Sequence, residues 1–193
     1  MKLLGVRQAN YFQGLIGVIR WICKLGRINI LHDVAVLSRF LAAPREGHLE
    51  QCIHIFAFLK KYDCSKIVFD DSVPVFDEEQ FQRCNWEEFY LGADEVIPPN
   101  MPEAQGKSLT MTCFVDADHA GCWVMHRLHN GILILLNKAP IMWYLKRQNM
   151  VETSTFGSEF IAMKTAVKMV EGLWYKLRMI GTKVNGTTYV SLW

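Results

Sequence analysis

The sequence predicts a mixed α/β chain: a small helical segment, then a three-strand meander, a long helix and the start of a fourth strand. Three observations carry that prediction. Up to Lys61, apolar residues recur at three- and four-residue steps, as on the buried side of helices. After Leu109 they fall into short runs separated by turn residues. From Phe156 to Leu177 the helical period returns and holds until Gly181.

Composition is that of a globular chain. Of 193 residues, 51% are hydrophobic and 21% charged, which separates the protein from the disordered class. Six cysteines are scattered with no CxxC pair, so reduced thiols and an intracellular location (cytoplasm or nucleus) are expected. The N-terminal stretch is interrupted by polar residues too early for a signal-peptide core. No apolar run spans a bilayer, because Asn137, Lys138 and Pro140 break the longest one, so no membrane partner is expected.

The net charge of +2 hides a segregation. Residues 1–69 carry +6, residues 70–105 carry −9, and residues 106–193 carry +5. Two basic blocks around an acidic one suit a chain whose ends approach a polyanion. Solvated helix faces are the plainer reading of the same charges.

In chain order, Leu15, Ile16, Ile19, Ile22 and Cys23 share a helical spacing that stops at Gly26. A second run, Ile30 to Leu41, ends before Pro44. A third helix, about Leu49–Lys61, sets Cys52, Ile53, Phe56 and Leu59 on one side. Residues 1–69 are therefore expected to form one helical segment. Residues 70–108, acidic and carrying Pro74, Pro98, Pro99 and Pro102, read as a linker with a short helix near Glu78–Tyr90. Residues 109–193 hold the strands Thr110–Asp116, Gly131–Leu136 and Ile141–Lys146, the long helix, and a fourth strand at Thr187–Leu192. The helix is capped by Thr153, Ser154 or Thr155, and Phe156, Phe160, Met163, Val167, Val170, Trp174 and Leu177 are expected to be its core stripe.

Alternation in the first strand sends Met111, Cys113 and Val115 to one face and Thr112, Phe114 and Asp116 to the other. A carboxylate at the end of a half-buried strand is costly unless something pairs with it. Glu159, on the flank of the long helix's apolar stripe, is the natural group to meet it. Two such acids make a hard oxygen site suited to Mg²⁺. In two-metal hydrolysis of a phosphodiester, one ion activates the water and the other stabilises the leaving oxygen. A strand-end Asp-Ala-Asp is also a common turn former, and Glu159 also suits the start of a helix.

Two sets of landmarks carry a family resemblance. The first is Tyr11, Leu15-Ile16-Gly17, Gly26-Arg27-Ile28-Asn29-Ile30, Leu37-Ser38-Arg39-Phe40, Pro44, His48 and Phe58-Leu59-Lys60-Lys61. The second is Phe114-Val115-Asp116-Ala117-Asp118-His119-Ala120-Gly121, Gly131-Ile132-Leu133, Trp143-Tyr144 with Lys146-Arg147-Gln148, and Ser154 with Ser158-Glu159-Phe160 and Ala162. The first resembles the C-terminal part of the reverse transcriptase region in Ty1/copia-type retrotransposon polyproteins. The second resembles the start of the RNase H domain that follows it. The resemblance implies an incomplete RNase H-like fold over residues 109–193, with Asp116 and Glu159 as catalytic, Mg²⁺-binding acids and Asp118 as a lesser candidate. It implies Lys146, Arg147 and Gln148 near the nucleic acid, on phosphates, and an RNA–DNA hybrid as partner.

Departures from the pattern set further expectations. Asn29 stands where the family usually has Asp. The acidic motif of the polymerase lies upstream of this region, so polymerase activity is not expected. The family's third acid would fall near Leu192–Trp193, where there is none, and the loop landmark is eroded at Arg127–Gly131. A truncated or degenerate copy is expected, with RNA hydrolysis weak or lost; the alternative is a non-catalytic nucleic-acid-binding remnant. Cys122, His126 and His129, with His119 nearby, match no standard zinc spacing.

Overall fold

The computed structural model describes residues 2–76, 99–118, 129–148 and 154–192. The chain divides into two compact units, Met1–Val68 and Phe69–Trp193. The expected helix near Glu78–Tyr90 lies outside the described residues, as do Trp86, Phe89, His119, Cys122 and His126. The mixed α/β class is as the sequence predicts: helices first, then a mixed sheet with one long helix.

The first unit is built on helix α1 (Val6–Lys24), α2 (Leu31–Leu37) and α3 (Glu46–Lys61), with single 3₁₀ turns at Ile28–Ile30 and Ser38–Phe40. The run expected as one helix from Ile30 to Leu41 is thus a two-turn α-helix between 3₁₀ ends. Phe12, Ile16, Ile19 and Cys23 line one side of α1 and bury against Ile30, Val34, Leu37, Cys52 and Ile55. Each fully buried side chain of this size contributes roughly 1.5–3 kcal/mol. On α3 the expected face needs a correction. Ile53 is 52% exposed and Ile55 is buried, because a helix that buries Cys52 presents positions 55, 56 and 59 with it.

The turn after α1 depends on Gly26. Its φ of +127° is open only to glycine, and a Cβ there would lie 2.7 Å from Ile67 Cδ1. The next residue reaches across the unit, as Arg27 Nη1 donates to Tyr62 O at 2.6 Å, at the C-terminal cap of α3. A guanidinium placed on the carbonyl end of a helix satisfies an acceptor the helix itself leaves open. At the other end of α3, Arg45 N donates to His48 Nδ1 at 3.1 Å. The His48 ring stacks on Phe40 at 3.9 Å. Burial first, and the neighbouring Arg45 charge second, lower the pKa of His48.

In the second unit the strands β1 (Gln105–Asp118), β2 (His129–Leu136), β3 (Ala139–Arg147) and β4 (Thr182–Leu192) form one sheet in the order β3-β2-β1-β4. β1–β2 and β2–β3 are antiparallel, and β4 runs parallel to β1. That parallel pair needs a crossover, which α4 (Thr155–Met179) supplies. β1 begins five residues earlier than its alternation suggests, and so does β4, which starts directly after Gly181. The hairpin between β2 and β3 is a two-residue turn at Asn137–Lys138, with Asn137 at φ 54°. Asn137 also anchors the turn: its N–H donates to Thr110 O (2.7 Å), and its Oδ1 accepts from Thr110 N (3.0 Å).

The helix stripe is the main difference from expectation. Ser158, Ala162 and Ala166 are fully buried, and the two alanines pack with Met111, Cys113, Val115, Ile132 and Ile134 on the sheet. Phe156, Phe160 and Val167, expected in the core, are 77%, 60% and 49% exposed. The physical reason is distance. A long helix lies close on a twisted sheet only where its side chains are small, so the small residues at i, i+4 and i+8 face inward. Towards the C-terminal half the expected stripe holds: Val170, Trp174 and Leu177 pack on the sheet core, with Met169 and Leu173 beside them.

Among the described residues no helix is long and apolar enough to cross a membrane. Cys23, Cys52 and Cys113 are buried thiols outside any disulfide, and burial pushes each pKa up to about 11. Cys64 is free and exposed. Native-state alkylation at pH 8, read site by site by peptide mass spectrometry, is therefore expected to modify Cys64 much faster than the three buried thiols; equal rates would contradict their burial. The sign of the pH effect follows. The unfolded chain releases these protons near pH 9 and the folded chain holds them until about pH 11, so stability is complete below pH 9 and falls as pH rises through that window.

Candidate functional site

One end of the sheet gathers the residues of interest. The β1–β2 register sets Asp116 opposite Gly131, Ala117 opposite Asn130, and Asp118 opposite His129. The β2–β3 register sets Gly131 opposite Leu145, Asn130 opposite Lys146, and His129 opposite Arg147. The parallel pairing brings Ser191 and Leu192 alongside Phe114 and Val115. Ser154 caps α4 at the same end, its Oγ accepting from Gly157 N at 3.1 Å.

A buried polar knot holds this end together. Gln148, 4% exposed, donates from Nε2 to Asn130 Oδ1 and to Ser158 O (3.0 Å). Asn130 and Ser158 are themselves buried, and Ser158 Oγ donates back to Thr155 O at 2.6 Å. One amide thus joins the end of β3, the start of β2 and the first turn of α4. Gln148 Oε1 is buried with no partner among the described residues. Gln148 was expected on a phosphate, and the structure places it inside the fold instead. The adjacent Lys146 and Arg147 sit at the end of β3, Lys146 exposed and Arg147 half-buried. In sequence nothing sets Gln148 apart from the Lys-Arg pair before it; the signal is in Asn130 and Ser158, which are remote from it along the chain.

Asp116 is exposed. Its odd-numbered neighbours Met111, Cys113 and Val115 pack under α4, so alternation projects Asp116 from the other face of β1. Gly131 lies beside it, and a Cβ there would make only ordinary contact with Asp116 Cβ, at 3.8 Å. Glu159 is half-buried on α4, next to the fully buried Ser158. Both acids stand at the same end of the unit, and neither carboxylate makes an ion pair or hydrogen bond among the described residues. The structure brings the two acids to one end without pairing them.

A Mg²⁺ ion takes near-octahedral oxygen ligation. Among the described residues no group of three or more His, Cys, Asp or Glu side chains gathers to hold a metal ion. At the end of β4, where the sequence offers no acid, Ser191 and Leu192 lie alongside Phe114 and Val115. The donors among the described residues do not make a complete Mg²⁺ cradle. His129 is 3% exposed, at the start of β2. A separate groove of about 510 Å³ in the helical unit, lined by Asn29, His32, Asp33, Gln51, His54 and Phe58 among others, contains none of these residues.

The chain is similar to a transposon protein. Over 159 residues it is 22% identical to a protein of Saccharomyces cerevisiae attributed to the transposon Ty5-1. The match covers 81% of this chain and 40% of that protein, so the chain spans less than half of its relative's length. No family model and no solved structure matches the chain.

Proposed function

We propose that the chain is a piece of a Ty1/copia-type retrotransposon polyprotein, joining the end of the reverse transcriptase region to the first part of an RNase H domain. Its ancestral chemistry is Mg²⁺-dependent hydrolysis of RNA in an RNA–DNA hybrid, here weak or lost. The observation that carries the reading is the placement of Asp116 at the end of the central strand, with Glu159 on the first turns of the crossover helix at the same end. The transposon likeness supports the same reading. Asp116 and Glu159 are the acids an inherited metal site would draw on, and two carboxylates are too few to hold two ions for this hydrolysis.

Cleavage of a labelled RNA–DNA hybrid by the purified chain in Mg²⁺ tests this. The expected result is turnover indistinguishable from that of Asp116→Ala and Glu159→Ala. Robust cleavage abolished by either substitution would restore a working active site and overturn the reading.

A second reading, a nucleic-acid-binding remnant without turnover, is favoured by the two basic blocks at +6 and +5 and by the exposed Lys146. Its mark would be hybrid binding whose logarithm falls linearly with the logarithm of salt concentration, as released counterions require.

A further inference from the structure

We propose that α4 pairs with α4 of a second copy of this chain, antiparallel, about a two-fold axis between Val167 and Lys168. The first observation is the misplaced stripe. Phe156, Phe160 and Val167 are largely exposed and lie along one side of the helix at four- and seven-residue steps. Met163, half-buried, lies on the same side between Phe160 and Val167, whereas Trp174 packs back against the sheet core under Arg178 (4.1 Å) and is not part of this seam. A helix that already buries Ala162 and Ala166 against its own sheet thus shows a second apolar seam to solvent. Such seams mark surfaces that another element covers.

Charge identifies the occupant. α4 carries two acids, Glu159 on the sheet flank and Glu171 on the outer side beside the seam. Lys164, also exposed, lies seven residues before Glu171, on the same side. An antiparallel copy centred between Val167 and Lys168 sets Lys164 opposite Glu171 of the second copy, and Glu171 opposite its Lys164, so one pair is made twice. The centre falls within half a residue of the midpoint of Thr155–Met179, so the helices overlap along nearly their whole length of about 37 Å. The same register sets Phe156 against Met179, which is 56% exposed, and Met163 against the exposed Gly172, where a Cβ would meet nothing within 4 Å. A parallel pairing would put Glu171 beside Glu171. Sliding the copy by about a turn, to face Glu171 with Lys168, carries Phe156 past the end of the partner helix. The antiparallel, centred pairing alone satisfies both the charges and the apolar seam.

The full chain and three variants, studied by sedimentation equilibrium, test the pairing. Wild type is expected to be a dimer. Lys164→Glu and Glu171→Lys each place two like-charged contacts across the axis, and each is expected to weaken dimerisation roughly ten- to thirtyfold. The double exchange, Lys164→Glu with Glu171→Lys, is expected to restore it. Circular dichroism of each variant shows that the fold is kept, since both positions are exposed. A wild-type chain that stays monomeric up to its solubility limit would overturn the pairing. So would a dimer indifferent to both single changes, or a double exchange that fails to restore it.

Discussion

Replacing Phe12 with alanine is expected to destabilise the helical unit by about 3–5 kcal/mol, the usual range when a buried aromatic side chain is truncated and its neighbours close in only partly. Phe12 is fully buried and meets the side chains of both neighbouring helices through the cluster that holds Val34 and Cys52. That loss is a large fraction of the stability of a domain this small. Urea denaturation followed by amide hydrogen exchange over residues 6–61 would measure it. Tyr11→Ala, one residue earlier and 59% exposed, makes the control and is expected to change stability by about 0.5 kcal/mol or less. Equal effects from the two substitutions would show that α1 does not bury the side described.

Ala162→Leu is expected to cost about 1–3 kcal/mol in the sheet unit, by overpacking. Ala162 has no exposed surface and lies between α4 and the face of β1 that carries Met111, Cys113 and Val115. Three added carbons there must either force side chains off their rotamers or lift the helix from the sheet. The readout is the midpoint of denaturation together with loss of amide protection along β1. An unchanged midpoint would mean the helix stands off the sheet at this point, contrary to the packing described.

Both substitutions show what the sequence made legible. Period alone located the helices and strands, because a 3.6-residue or two-residue repeat survives whichever residue fills it. The order of strands and the long helix followed in the same way. Helical phase did not. Hydropathy favours Phe156 and Phe160 over Ser158 and Ala162, whereas a close helix–sheet contact favours the smaller side chains, and the second preference prevailed. On α3 a similar slip exchanged Ile53 for Ile55.

The candidate site divides along the same line. The position of Asp116 at a strand end, and of Glu159 near the start of a helix, could be read from local pattern. Which face of β1 each acid addresses is a matter of register and packing, so the expected pairing rested on less than the positions did. Gln148 is the sharpest case. Following Lys146 and Arg147, it reads as one more polar surface residue, yet it is the amide that binds β2 and β3 to the start of α4.

The strand order has a consequence for how the unit reaches this state. β1 lies inside the sheet, and its two neighbours arrive at very different times. β2 follows within a short stretch of chain and joins it through local antiparallel contacts. β4 comes only after the 25 residues of α4, and it pairs parallel to β1. Closing that long loop is entropically slow, and during synthesis from the N-terminus one flank of β1 stays open until residues 182–192 have left the ribosome. Through that interval, the strand that ends in Asp116 is also the strand most able to capture a foreign one.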